Sequence, residues 1–359
     1  MPMDFDWTDV QRSWREKAQT LGRELANEAV AADVLMGAAR VGLIDSRADL
    51  VAAALAVEAL SCESAAAGMT LALHTTTLLA FPGNEKFTSL ARGETVGALA
   101  LSSEDVPAID NGRLSGRAAW VGPITEHGVA VVGARGESHV TACAVALDGH
   151  GVQVTEARTS GLRGFIWGHV LFAGTSCLAS AETTGIMARA RTLIASVALG
   201  IGDRALRESL AVVHREHGAG GEQTVQGLLA DTATDLEAAR MLTWQAAGQG
   251  ADVSLAAGSM AKLAATSAAQ AAVVRATQVV GVDSFRRGHV IERLTQDVRA
   301  IELFAGRTEA GATASLNHEG ALRARHEGHE VVSCREATCV VYPRICLAIV
   351  CSCRFDVPS

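Results

Sequence analysis

The sequence predicts an α+β protein in three parts: an N-terminal helical domain, a middle antiparallel β-domain and a C-terminal helical domain. Three observations carry this. Residues 1–96 repeat apolar side chains at spacings of three and four. Residues 97–180 break into short valine-rich runs separated by Gly, Asp and Asn. From 181 to 310 the three-to-four spacing returns in four long segments. Single strands do not alternate with single helices, which argues against a doubly wound nucleotide fold.

In the first part, "DWTDVQRSWREKAQTLGRELANEAV" places Trp7, Val10, Trp14, Ala18, Leu21 and Leu25 on one helical face. Pro82 and Gly83 interrupt the helical pattern, and Asn84 is positioned to cap a short helix after them. In the middle part, "GALALSS", "VAVVGAR", "HVTACAVALD", "GVQVTEA" and "HVLFAG" read as strands. In the third part, Leu228, Leu229, Ala233, Leu236, Ala239 and Leu242 make a stripe expected to be bundle core. "HGAGGEQ", with three glycines, joins the first two helices of that block.

Composition narrows the function. At 359 residues and 49% hydrophobic, the chain has apolar material for a large core, and with only 4% aromatics that core is one of closely packed small side chains. A net charge of −8 argues against nucleic acid or an anionic membrane as partner, since both rest on a basic footprint. No uncharged apolar run of membrane-spanning length is evident. The charged, amphipathic N-terminus lacks the apolar core of a signal peptide, so the expected location is cytoplasmic. Cys62, Cys143 and Cys177 are scattered, as suits reduced buried thiols. The other five cysteines crowd into residues 311–359 with His326 and His329. Their spacing matches no paired metal motif, so the tail is expected to be a divergent, poorly ordered extension that holds no metal.

Several words of the sequence, in order, carry a resemblance. "GALALSSED", "GRLSGRAAWVGPIT", "GLRGF" with "HVLFAG", "LLADTATDLEAARMLTWQAA", "SMAKLAATSAAQAAVVRATQVVGVDSF" and "VIERLTQDVRAIELFAGRTE" together resemble the acyl-CoA dehydrogenase family over roughly residues 4–310. The resemblance implies a C-terminal four-helix bundle and FAD held between the middle and C-terminal domains, with help from a neighbouring subunit. It implies α,β-desaturation of an acyl thioester, in which a carboxylate takes the α-proton while a hydride passes to the flavin.

The resemblance also assigns residues. Ser102 and Ser103 fall in a turn that faces the flavin ring. Trp120 and Thr125 fall near the flavin-stacking motif, with Gly122 and Pro123 spacing them more widely than usual. Arg215 matches an arginine on a neighbouring subunit's FAD pyrophosphate, and Gln223 a glutamine on the adenosine portion. Gly281 matches the first of two glycines that let the backbone approach the pyrophosphate, and Val282 replaces the second. Each has an ordinary alternative: a turn serine, a core tryptophan, a solvated helix-end arginine.

The departures matter as much. Ala305 occupies the usual position of the catalytic base, and Ala190 occupies the other position known for it. Arg307 replaces a small hydroxyl residue, and the segment between Glu104 and Trp120, which normally contacts the acyl-CoA, is compressed. Glu302 and Glu309 are expected to be solvated, and His74 to be a packed, hydrogen-bonded histidine. The expected function is a divergent flavoprotein oxidoreductase acting on an acyl thioester or related small substrate. The alternatives are a non-catalytic partner subunit of a hetero-oligomer and a flavin monooxygenase of the same fold.

Overall fold

The computed structural model describes residues 6–25, 29–101, 105–137, 139–215 and 223–304, and the backbone of a hairpin at 332–334 and 337–339. Its first layer is helical: α1 (Asp9–Glu24), α2 (Ala31–Val41), α3 (Leu50–Glu63), α4 (Ala65–Ala80) and the short α5 (Thr88–Ala91). Thr8 opens α1 with a capping box. Its hydroxyl accepts from Gln11 N, and its own amide donates to the Gln11 side chain. The same Gln11 donates to Asp49 at 2.7 Å, the residue that caps α3, so two helix starts are tied together. Asn84 caps the turn Glu85–Phe87 through Lys86 N, as its position predicts. Trp14, Ala18 and Leu21 face the core, but Val10 is exposed. At that end Trp7 takes the contact instead, edge-on to Trp244 at 5.4 Å.

The second layer is an eight-stranded sheet: β1 (Val96–Ala100), β2 (Ala108–Asp110), β3 (Arg113–Val121), β4 (Gly128–Arg135), β5 (Val140–Ala146), β6 (Val152–Ala157), β7 (Trp167–Ser176) and β8 (Ala179–Glu182). The order is β6-β7-β3-β2-β4-β5-β8, with β1 also on β4. The sheet is mixed rather than purely antiparallel. β1 pairs parallel with β4 from Val96↔Gly128 to Ala100↔Val132, and β2 meets β4 parallel at Ala108↔Arg135. Residues 101–127 lie between β1 and β4, long enough for the crossover that a parallel pair requires. β1 is buried at every position, as a strand covered on both faces should be.

His74 of α4 is one reason β1 is held there. Its Nδ1 accepts from Gly97 N at 3.0 Å and its Nε2 donates to Leu90 O at 3.1 Å. Both ring nitrogens are therefore used, and burial lowers its pKa from 6.5 to about 4. Between those values the unfolded chain binds a proton that the folded chain does not, so this group makes stability fall as pH falls through that window. The expected size is about 3 kcal/mol at the acid end. Denaturant titrations should show the stability advantage of wild type over His74→Gln shrinking from pH 6.5 toward 4; an advantage constant with pH would remove His74 from the acid response.

The third layer is the bundle of α6 (Thr183–Arg215), α7 (Gln223–Ala247), α8 (Leu255–Val280) and α9 (Val290–Leu303). α6 is central and packs on α3 as well as on its own bundle. The approach is close because Gly200 presents no side chain; a Cβ there would lie 2.5 Å from Glu58 O and from Ser61 Cβ. Among the described helices α6 alone has the length and hydropathy to cross a bilayer, yet 78% of its apolar window is buried inside the protein.

The buried face of α7 differs from the predicted stripe. Thr232, Leu236, Ala239, Arg240, Thr243, Ala246 and Ala247 face inward, Leu242 is exposed, and Leu228 and Leu229 are half-buried. The helix is turned so that Arg240 reaches the interior. There Arg240 binds Glu58 of α3 at 2.9 Å, Asp203 of α6 at 2.8 Å, and Glu237. Burial raises Glu58 from 4.5 to about 7 against the pull of Arg240, and the nearby Asp203 charge adds to the rise.

Candidate functional site

The sequence-predicted residues fall at two separate places. The first is where the sheet meets the end of α9. β3 shifts register between Ala118 and Val121, and within that bulge Trp120 takes φ +54°. A bulky side chain at positive φ is costly, and such strain persists where the surroundings fix it. The bulge turns the ring outward, leaving Trp120 49% exposed. A cis Gly122–Pro123 bond follows. Trp120 stands edge-on to Trp167 at 6.3 Å and to His169 at 5.2 Å.

Trp167 then joins the two domains. Its ring lies 4.6 Å from Phe165 and 4.7 Å from Phe304, the residue just after α9. Lys262 of α8 fixes that helix end by donating to Glu302 O at 3.2 Å and to Phe304 O. It sits in the buried face of α8, where burial, with Arg191 nearby, lowers it from 10.5 to about 7. Arg191 itself donates to Ser259 Oγ. A second clamp is Asp297 of α9, which accepts from Leu162 N at 2.6 Å. Burial raises Asp297 from 3.8 to about 6. Gly161 lets that loop press on Gln296 O, where a Cβ would collide.

Two buried polar atoms in the segments that form this junction have no hydrogen-bond partner among the described residues: His169 Nδ1 and Thr125 Oγ1. An orphaned buried polar atom is costly unless something satisfies it. Thr125 lies past the proline turn, its hydroxyl directed at Gly128, where a Cβ would stand 3.1 Å away. Trp120 and Thr125 therefore belong to one strand-turn segment, with the threonine hydroxyl buried and the tryptophan ring open.

The second place holds Arg215, Gln223 and Gly281. Arg215 is exposed at the last turn of α6 and donates to Ala211 O at 3.1 Å. Gln223 is the exposed first residue of α7. Gly281 takes φ +73° with nothing within 4 Å of where a Cβ would stand. The positive φ falls on Gly281 alone, so Val282, 84% exposed, meets no backbone demand that a β-branched residue resists.

Helix directions separate the two places. Ser259 meets Arg191 and Gly258 meets Ala188, so α6 and α8 run side by side in the same direction, with α7 reversed between their ends. Arg215, Gln223 and Gly281 thus gather at the bundle end opposite Lys262 and Phe304. The 19 steps along α8 from Lys262 to its C-cap Gly281 span about 28 Å.

Of the two base positions, Ala190 is fully buried in the core, so no side chain there faces an open site. Ala305, Ser102, Ser103, Glu104, Arg307, Glu309 and the cysteine-rich tail's side chains lie outside the described residues. Glu302 is bonded to Arg299 at 3.0 Å rather than free to act as a base. Among the described residues no group of three or more His, Cys, Asp or Glu is arranged to hold a metal.

Sequence reasoning did not single out Trp167, His169, Phe304, Lys262 or Asp297. Two signals were present. Trp167 and His169 are two apart on a strand and so share a face. Lys262 interrupts an otherwise small and apolar helix face, where a charge needs a partner.

Residues 180–314 match the family model described as Acyl-CoA dehydrogenase, C-terminal domain. Over that stretch the chain is acyl-CoA dehydrogenase-like. The chain is 33% identical over 117 residues to 3-sulfinopropanoyl-CoA desulfinase of Paraburkholderia xenovorans (strain LB400), a match covering 31% of this chain and 30% of that protein. It is 27% identical over 312 residues to the short-chain specific acyl-CoA dehydrogenase, mitochondrial, of Homo sapiens, covering 75% of this chain and 76% of that one. The match to the desulfinase thus spans less than a third of that relative's length. Among solved structures, butyryl-CoA dehydrogenase from Megasphaera elsdenii superposes with TM-score 0.77 at 19% identity, covering 89% of this chain and 100% of that one. A chain from a study of the electron transferring flavoprotein of Acidaminococcus fermentans gives TM-score 0.79 at 18% identity, covering 88% and 99%. At those identities the likeness is one of fold, and it extends over all three layers.

Proposed function

We propose that this chain is an acyl-CoA dehydrogenase-like flavoprotein oxidoreductase that acts on an acyl thioester or a related small substrate without the usual carboxylate base of that family. The observation that carries this reading is the tryptophan junction. An open indole held at strained φ, beside an orphaned histidine nitrogen and in one segment with an orphaned threonine hydroxyl, suits a planar, polar-edged ring system such as that of FAD. Trp120, His169 and Thr125 would hold the flavin ring, and Ser102 and Ser103 lie on the segment that follows β1. FAD, when bound, supplies the two-electron chemistry.

The chain's own residues do the rest. Trp167, Phe165 and Phe304 make an apolar wall that excludes water. Lys262 and Asp297 hold the end of α9 against that wall. Ala190 and Ala305 offer no proton acceptor, so the chain would use another base or run an oxidation that needs no α-proton abstraction. By its name the Paraburkholderia relative is a desulfinase of an acyl-CoA, which supports a second reading: removal of a group other than hydrogen from an acyl thioester.

Arg215, Gln223 and Gly281 gather at the bundle end opposite Lys262 and Phe304, so on this reading they serve the FAD of a second subunit. The chain would then work as a homo-oligomer, or as a hetero-oligomer with another chain of this family. The non-catalytic partner role and a flavin monooxygenase remain the competing assignments, and the cytoplasm remains the proposed location.

The stacking role has a simple test. Trp120→Ala should weaken FAD binding about tenfold, as read from quenching of flavin fluorescence on titration. Equal affinities for variant and wild type would take the flavin away from this tryptophan.

A further inference from the structure

Where α1, α3 and α6 meet, their side chains enclose a small cavity of about 10 Å³. Its walls are Arg15 and Gln19 of α1, Glu58 and Cys62 of α3, and Asp203 and Arg207 of α6. Helical spacing brings them together. The two wall residues of each helix are four apart, so each helix lends one side-by-side pair. The close approach of α6 to α3 at Gly200 keeps the third wall near. No residue of the candidate flavin site lines this cavity.

The charged walls are already engaged on their outer sides. Arg15 lies over the Trp7 ring at 5.2 Å, Arg207 faces Glu63 at 3.5 Å, and Asp203 accepts from Arg240 at 2.8 Å. Glu58 gives one carboxylate oxygen to Arg240 at 2.9 Å. Its other oxygen, Oε2, is buried with no partner among the described residues, on a residue only 7% exposed. A carboxylate oxygen withdrawn from bulk solvent needs a donor.

We propose that this cavity binds one water molecule, which donates to Glu58 Oε2 and links α3 to the polar side chains of α1 and α6. Charge, size and hydrogen bonding together select that occupant. The walls carry two guanidinium groups and two carboxylates, so they hold no net charge that would recruit an ion. A cation would meet Arg15 and Arg207, and an anion would meet Glu58 and Asp203. An apolar guest would leave Glu58 Oε2 unsatisfied. A cavity of about 10 Å³ has room for about one water and for no larger organic molecule. Water is neutral and small, and it can donate to a carboxylate while accepting from a guanidinium or an amide. Arg15 and Gln19 are half-buried and Arg207 is exposed, so exchange with bulk solvent passes between α1 and α6. Being neutral, the water does not replace the charge that Arg240 supplies to Glu58.

The test is a crystal structure of the 359-residue chain at a resolution that shows ordered solvent. The expected result is one solvent peak within about 3.2 Å of Glu58 Oε2 and of at least one polar atom of Gln19, Arg15 or Arg207. Ala59 also lines the cavity from α3, and Ala59→Met puts a flexible apolar chain into it. The map of that variant should lose the peak. The wild-type map decides the matter even where the variant does not fold. No density beside Oε2 would overturn the proposal. So would an Arg15 guanidinium turned from Trp7 onto Oε2, or a peak whose height or anomalous signal marks an ion.

Discussion

Replacing Arg240 with methionine is expected to lower the unfolding free energy by about 3–5 kcal/mol. Arg240 is 7% exposed and is the positive charge shared by Glu58, Asp203 and Glu237. Methionine fills much of the same volume but leaves Glu58 buried without its counter-charge. Glu58 already has one carboxylate oxygen with no partner among the described residues, so it has no second donor to fall back on. The contact also joins α3 to α6 and α7, so the loss is felt between the N-terminal helices and the bundle rather than in one element.

The pH dependence gives this prediction a second edge. The folded pKa of Glu58 is raised above its unfolded value, so its contribution to stability is full below 4.5 and is lost as pH rises through about 7. Without Arg240 the folded value rises further. Acidification from 7 toward 4.5 should therefore rescue Arg240→Met more than wild type. Urea unfolding followed by circular dichroism at the two pH values measures both effects. A deficit below about 1 kcal/mol at neutral pH would mean that the cluster is screened like a surface pair.

Ala305→Glu is expected to speed reduction of bound flavin by a saturated acyl-CoA by a factor of about 10² or more, the usual worth of a positioned general base. The residue before it, Phe304, is packed on Trp167, and its carbonyl is held by Lys262, so the helix end leading to position 305 is fixed. Ala190→Glu is the informative contrast. Position 190 has no exposed surface, and a carboxylate there would be desolvated in the core of α6. That variant should lose stability without gaining rate. Stopped-flow absorbance under anaerobic conditions separates the two. If Ala305→Glu binds FAD yet reduces no faster than wild type, the compressed segment between Glu104 and Trp120 has cost the substrate site as well as the base.

Much of the fold was legible because its signals are local. The period of α6 to α9 and the Asn84 cap each depend on residues within a few positions of one another, whereas the packed His74 was read from the apolar helix around it. What was not legible depends on partners far along the chain. The parallel pairing of β1 with β4 is a property of the crossover between them, and a valine-rich strand reads alike in either direction. The α7 stripe was misjudged because apolar periodicity sends charges outward, whereas Arg240 is drawn inward by carboxylates from two other helices. The meeting of Trp120, Trp167 and Phe304 combines a bulge in β3 with the end of α9, and neither announces the other.

The central claim is that the chain holds FAD at the junction of sheet and bundle. The most direct measurement is the visible spectrum of the purified 359-residue chain after incubation with FAD and removal of the excess. The account predicts a yellow protein with about one flavin per chain, its absorption band altered by stacking on an indole. A colourless protein after the same treatment would contradict it.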